Sequence, residues 1–167
     1  MENGTLVRLR PATPEDVAAL AVIRSAPEVY RRWGGGDDLA ADVAESLADP
    51  DTEVYVIVYE ERVVGAVQWS EEADPGYRHA GIDIYLSPTV HGRGLGADTV
   101  RTVARHLIHD LGHHRLVIDP AADNEAAIRC YAKVGFRPVG VMRRYERGPD
   151  GSWHDGLLMD LLAEDLT

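Results

Sequence analysis

Apolar and polar residues alternate from Leu6 to Arg10, the spacing of a half-buried strand. Pro11–Asp16 breaks that pattern and supplies helix-start chemistry: Thr13 suits an N-cap, Pro14 the first helical position, and Glu15 and Asp16 the positive end of the helix dipole. Val17, Leu20, Ala21 and Ile23 then mark a helix to about Ser25. A second short helix is predicted from Pro27 to Trp33, stopped by Gly34-Gly35-Gly36, and a third from Asp37 to Leu47. Strand signals follow in Glu53–Tyr59 and Arg62–Ser70, joined by a tight turn at Glu60-Glu61. Glu71–Gly76 reads as a polar loop, Ala80–Leu86 as the next strand, and Leu95–Asp110 as an amphipathic helix with Gly112 as its stop. Leu116–Asp119 predicts a short strand, Asn124–Val134 a helix, and Phe136–Tyr145 and Ser152–Leu162 two last strands. The order β-α-α-α-β-β-β-α-β-α-β-β describes an α/β (α+β) protein with a mixed sheet, not a clean βαβ alternation.

Composition narrows the class. The 167 residues, 45% hydrophobic and 27% charged, fit one domain spanning residues 1–167. The longest apolar stretch, Val54–Tyr59, is too short to cross a bilayer, and Met1–Gly4 has no basic head leading into an apolar run. The expectation is a cytoplasmic protein without a membrane partner. Cys130 is the only cysteine, which excludes an internal disulfide and a cysteine zinc cage. The net charge of -11 speaks against nucleic acid and favours cationic ligands, unless it serves solubility alone. His106, His109, His113 and His114 have partial helical spacing, but no neighbouring ligand set completes a metal site, so no metal is expected.

The sharpest local signal is His91-Gly92-Arg93-Gly94-Leu95-Gly96, between a strand and a helix. Glycines let a backbone approach a ligand closely, a helix start offers unpaired N–H groups, and Arg93 adds a formal charge, so the loop suits a phosphate as well as a plain turn. The Gly-Lys-Ser/Thr of a P-loop is absent. Gly92, Gly94 and Ala97 satisfy G-x-G-x-x-A, but the loop lies mid-chain after a hairpin, which argues against a dinucleotide fold.

Two motifs together carry a family resemblance. His91-x-x-Gly94-x-Gly96 resembles the acetyl-CoA pyrophosphate loop of the GNAT acetyltransferases, with His where the family has Arg or Gln. Asn124-x-x-Ala127-x-x-x-Tyr131-x-Lys133-x-Gly135-Phe136 looks like the second family motif. Within that superfamily the chain is most similar to aminoglycoside 6′-N-acetyltransferases, through Arg32-Trp33-Gly34-Gly35, Gly81-Ile82-Asp83, Gly92–Gly96, Asp119-Pro120 and Ala127–Tyr131.

The resemblance implies a GNAT-like fold, with a central, mostly antiparallel sheet flanked by helices, and acetyl-CoA as co-substrate. It implies direct acetyl transfer to an amine in a ternary complex, with no acyl-enzyme and therefore no need of Cys130 as a nucleophile. Asp83 would meet the amine, orienting it or accepting its proton, and Tyr131 would protonate the leaving thiolate. The cofactor would lie on Tyr85, Leu86, His91, Gly92, Arg93, Gly94, Leu95 and Gly96, with Asn124 on the pantetheine arm and the backbone N–H near Leu86 polarising the carbonyl. The acceptor would be a cationic small molecule, an aminoglycoside by closest resemblance, held by Asp83, Asp119, Glu72 and the wall of Trp33. Glu71 and Asp74 are further candidates, Asp37, Asp38 and Asp155 weaker ones. A solvated surface role, or a helix cap for Asn124, is the alternative for each polar group. The alternative functions are acetylation of a protein N-terminus, a polyamine or another metabolite amine, and a non-catalytic acyl-CoA sensor. The sequence leaves the assembly open between a monomer and a homodimer.

Overall fold

The computed structural model describes residues 3–167. Its seven-stranded sheet runs β1-β2-β3-β4-β5-β7-β6, with β1 Arg8–Pro11, β2 Glu53–Tyr59, β3 Arg62–Glu72, β4 His79–Leu86, β5 Arg115–Ile118, β6 Arg137–Arg147 and β7 Trp153–Leu162. Every neighbouring pair is antiparallel except β4 and β5. The sheet is therefore mixed and mostly antiparallel, as the sequence and its family resemblance imply.

Period-2 alternation distributes the strands' side chains between two cores. Ile57, Val67, Ile82 and Leu116 pack with α4 (Leu95–Arg105) and α5 (Glu125–Val134). Val56, Val58, Ala66 and Tyr85 pack on the other face with α1 (Val17–Ser25), α2 (Pro27–Trp33) and α3 (Leu39–Ala48). Glu60 and Glu61 both take positive φ, 49° and 63°, which gives the β2–β3 hairpin its tight two-residue turn. No helix of the described residues is long and apolar enough to cross a membrane.

Several boundaries differ from the sequence pattern, among them β1, which begins at Arg8 and not at Leu6, and α3, which begins at Leu39 and not at Asp37. β3 continues to Glu72, because Glu71 and Glu72 pair with Ala80 and His79 instead of starting a loop. α4 ends at Arg105 and its last turn, His106–Asp110, widens to a π-helix that still buries Leu107 and Ile108. The His106 ring there packs edge-on to Trp69 at 5.8 Å and bonds Asp110 at 2.7 Å. β6 extends to Arg147 through two register shifts, the second accommodating Arg144 at φ 49°.

The feature that makes a site is where pairing stops. β4 and β5 are joined only at Ala80–Leu116 and Gly81–Val117. Beyond those residues β4 keeps β3 on one side, while its other side opens into a split.

Candidate active site

The split widens into a cleft of about 1300 Å³, walled by α2 and the end of β4 on one side and by the β5–α5 connection on the other. Gly92 and Gly94 both adopt left-handed φ, 78° and 79°, and Gly94 is the N-cap of α4. A side chain at Gly92 would meet nothing within 4 Å, so it is the backbone conformation, not crowding, that selects glycine there. Such a turn directs successive N–H groups to one side, at the positive end of α4, which fits a pyrophosphate. Gly96 is selected by crowding: an added Cβ would lie 3.1 Å from Cys130 Sγ on α5. Behind the loop, buried Asp98 accepts the backbone N–H groups of Thr5, Leu6 and Val7 at 2.8–3.0 Å, which anchors the first turn of α4.

His91, the departure from the family pattern, closes the loop onto the strand: its Nε2–H donates to the Leu86 carbonyl at 3.0 Å. The Trp33 indole N–H donates to the Ile84 carbonyl at 3.3 Å. Both carbonyls therefore turn away from β3. Since a residue's N–H and C=O point the same way in a strand, the amides of Ile84 and Leu86 face the split as well. Trp33 is held edge-on to Tyr85 at 4.7 Å, with the Arg24 guanidinium 5.5 Å from its ring centre, so the indole forms a rigid wall.

The electrostatics of the cleft are dominated by carboxylates. Asp83, on β4, is open to solvent through the cleft yet crowded by its walls. Partial burial, with Asp119 and then Glu146 nearby, pushes its carboxyl up to about 6. Glu146 is also raised, chiefly by burial and Asp119. Asp119 accepts the Tyr145 hydroxyl at 2.8 Å, and this bond raises Tyr145 to about 12. Tyr131, on α5, is buried and its phenol is raised by that burial, by Cys130 and by Asp83, so it stays protonated at neutral pH. Cys130 also lines the cleft, with its thiol pushed up by burial.

The structure thus gathers Trp33, Asp83, Tyr85, Leu86, His91, Gly92, Gly94, Leu95, Gly96, Asp119, Asn124 and Tyr131 around one cleft. Others fall elsewhere. Arg93 is exposed and outside the cleft lining. Glu72 sits at the end of β3 beside a smaller pocket of about 300 Å³ that shares Asp83 and Asp119 with the cleft. Glu71 is held by buried His113 at 2.5 Å. Asp38 caps α3, and Asn124 caps α5 by accepting Ala127 N–H at 3.3 Å. Among the described residues no group of three or more His, Cys, Asp or Glu is placed to hold a metal. Sequence reasoning missed Tyr145 and Glu146, which the bulged end of β6 swings toward Asp119. No local motif marks them.

Residues 7–137 match the model of the acetyltransferase (GNAT) domain. The chain is 32% identical over 164 residues to the aminoglycoside N(6′)-acetyltransferase type 1 of Klebsiella pneumoniae, covering 87% of this chain and 79% of that protein. It is 40% identical over 84 residues to a kanamycin resistance protein of Rhizobium radiobacter, covering 50% of this chain and 72% of that one. Among solved structures, AAC(6′)-Ib in complex with paromomycin and acetyl-CoA superposes with a TM-score of 0.78 at 29% identity, over 96% of this chain and 95% of that one.

Proposed function

The chain belongs to the GNAT acetyltransferase family and is an acetyl-CoA-dependent acyltransferase, and we propose that its acceptor is an aminoglycoside, acetylated on the 6′-amine by direct transfer within a ternary complex. The observation that carries this reading is the cluster of Asp83, Asp119 and Glu146 along a cleft that also holds the glycine turn, where burial and then the neighbouring Asp119 raise the carboxyls of Asp83 and Glu146. Three neighbouring carboxylates favour an acceptor with several ammonium groups, and the Trp33 wall suits a sugar ring.

Acetyl-CoA supplies the activated acetyl group. Gly92, Gly94 and the first amides of α4 would hold its pyrophosphate, and Asn124 its pantetheine arm. The Leu86 N–H, facing the split, would stabilise the negative charge that develops on the carbonyl oxygen. Asp83, ionised above about pH 6, orients the acceptor ammonium and takes its proton, directly or through water. Tyr131, kept protonated by burial, donates to the departing thiolate. A raised Cys130 thiol packed against Gly96 is a poor nucleophile, which favours direct transfer over an acetyl-cysteine route. This reading takes residues 1–167 as one acetyltransferase domain.

Thiol release from acetyl-CoA tests the acceptor, with kanamycin, tobramycin, spermidine and a short peptide offered in parallel. Saturable release with the two aminoglycosides is the expected result. Release with spermidine or peptide alone would keep the acetyltransferase and discard the antibiotic as its acceptor.

A further inference from the structure

The opening between β4 and β5 is crossed by one ion pair. Arg32 Nη1, on α2, lies 2.6 Å from Asp123 Oδ1, 91 residues away and just before the cap of α5. α2 is tied to β4 through Trp33 and Ile84, whereas Asp123 belongs to the β5–α5 wall. Both partners line the cleft, so the pair joins its two walls across the split.

The setting of this guanidinium is what gives it meaning. It holds the Asp123 carboxyl below the usual range, and it partly offsets the upward push on Glu146. Arg32 is thus a cation supplied by the chain itself to an acidic cleft. The contact is a single one, with the Asp123 side chain 80% exposed and that of Arg32 25% exposed. A bridge so open to water shifts an equilibrium by no more than a factor of about five. It is too weak to be needed for folding and weak enough for a ligand ammonium to displace.

We propose that Arg32 is a specificity-determining residue: bound to Asp123, it fills an acidic subsite of the acceptor wall, so that an acceptor with several ammonium groups must displace it while one with a single ammonium need not. This rests on the acceptor being a cationic amine, as argued above. Arg32 then acts as a threshold against polycations and leaves the transfer step alone.

The test compares Arg32→Ala, Arg32→Lys and Asp123→Asn with the parent enzyme. Each is given tobramycin, and 6-amino-6-deoxyglucose as an acceptor with one ammonium. Calorimetry measures tobramycin and acetyl-CoA binding to the same proteins. Arg32→Ala is expected to lower KM and Kd for tobramycin roughly twofold to fivefold, with kcat, acetyl-CoA affinity and the KM of the monoamine unchanged. Arg32→Lys should restore parental values, and Asp123→Asn should weaken tobramycin binding. Equal changes for both acceptors, or a fall in kcat, would reduce Arg32 to a structural strap. Weaker acetyl-CoA binding in Arg32→Ala would assign the residue to the cofactor. Parent enzyme that neither binds nor acetylates tobramycin would overturn the aminoglycoside reading together with this one. Binding by the parent without tighter binding by Arg32→Ala would overturn this one alone.

Discussion

Asp83→Asn is expected to lower kcat/KM for tobramycin by about two to four orders of magnitude, the usual contribution of a positioned base, while acetyl-CoA binding stays close to parental. Asparagine keeps the size of the side chain but loses both the negative charge and the capacity to accept a proton. The pH profile separates this role from a packing defect. Because the Asp83 carboxyl titrates near 6, activity should fall as pH drops through that value, and the variant's residual activity should lack that limb. Stability moves the other way. The folded protein holds the Asp83 proton more tightly than the unfolded chain, so the group's stabilising contribution is full below its unfolded value of 3.8 and lost as pH rises through about 6. At pH 7–8 the ionised carboxylate destabilises the fold. Discounted for its contact with water, the effect is on the order of 1 kcal/mol, and Asp83→Asn should melt about 2–4 °C higher. An inactive variant that melts lower would point to a structural role instead.

Tyr131→Phe is expected to cut kcat by about tenfold to a hundredfold, the worth of a hydrogen bond to a developing charge, with KM for both substrates changed little. The ring is buried beside Phe136, with centroids 6.4 Å apart, and phenylalanine preserves that packing. The loss is therefore confined to the hydroxyl, whose proton burial holds at neutral pH. Steady-state kinetics with a thiol assay give the split between kcat and KM directly. Full activity would remove Tyr131 from the transfer step.

Much of this was legible along the chain because it was local. The β-branched and aromatic run Glu53–Tyr59 and the glycine stop after Pro27–Trp33 specify elements that the structure reproduces to the residue. The glycine turn and the Asn124–Phe136 segment are contiguous motifs, and the structure brings both to one cleft. What the sequence hid depends on pairing between distant segments. Glu71 and Glu72 look like loop residues until β4 extends the ladder to meet them, which draws Glu72 out of the main cleft and gives Glu71 to His113. Tyr145 and Glu146 reach Asp119 only through irregular β6 pairing. The Arg32–Asp123 contact joins elements separated by most of the chain, and no periodicity can announce it.

In the proposed reaction the acidic cleft presents the 6′-amine of an aminoglycoside to acetyl-CoA for direct transfer. It is tested most directly by incubating the protein with tobramycin and acetyl-CoA and locating the acetyl group on the product by mass spectrometry and NMR. The expected product carries a single acetyl on the 6′ nitrogen, formed by the parent enzyme and lost in Asp83→Asn. Unmodified tobramycin, from a protein that demonstrably binds acetyl-CoA, would contradict it.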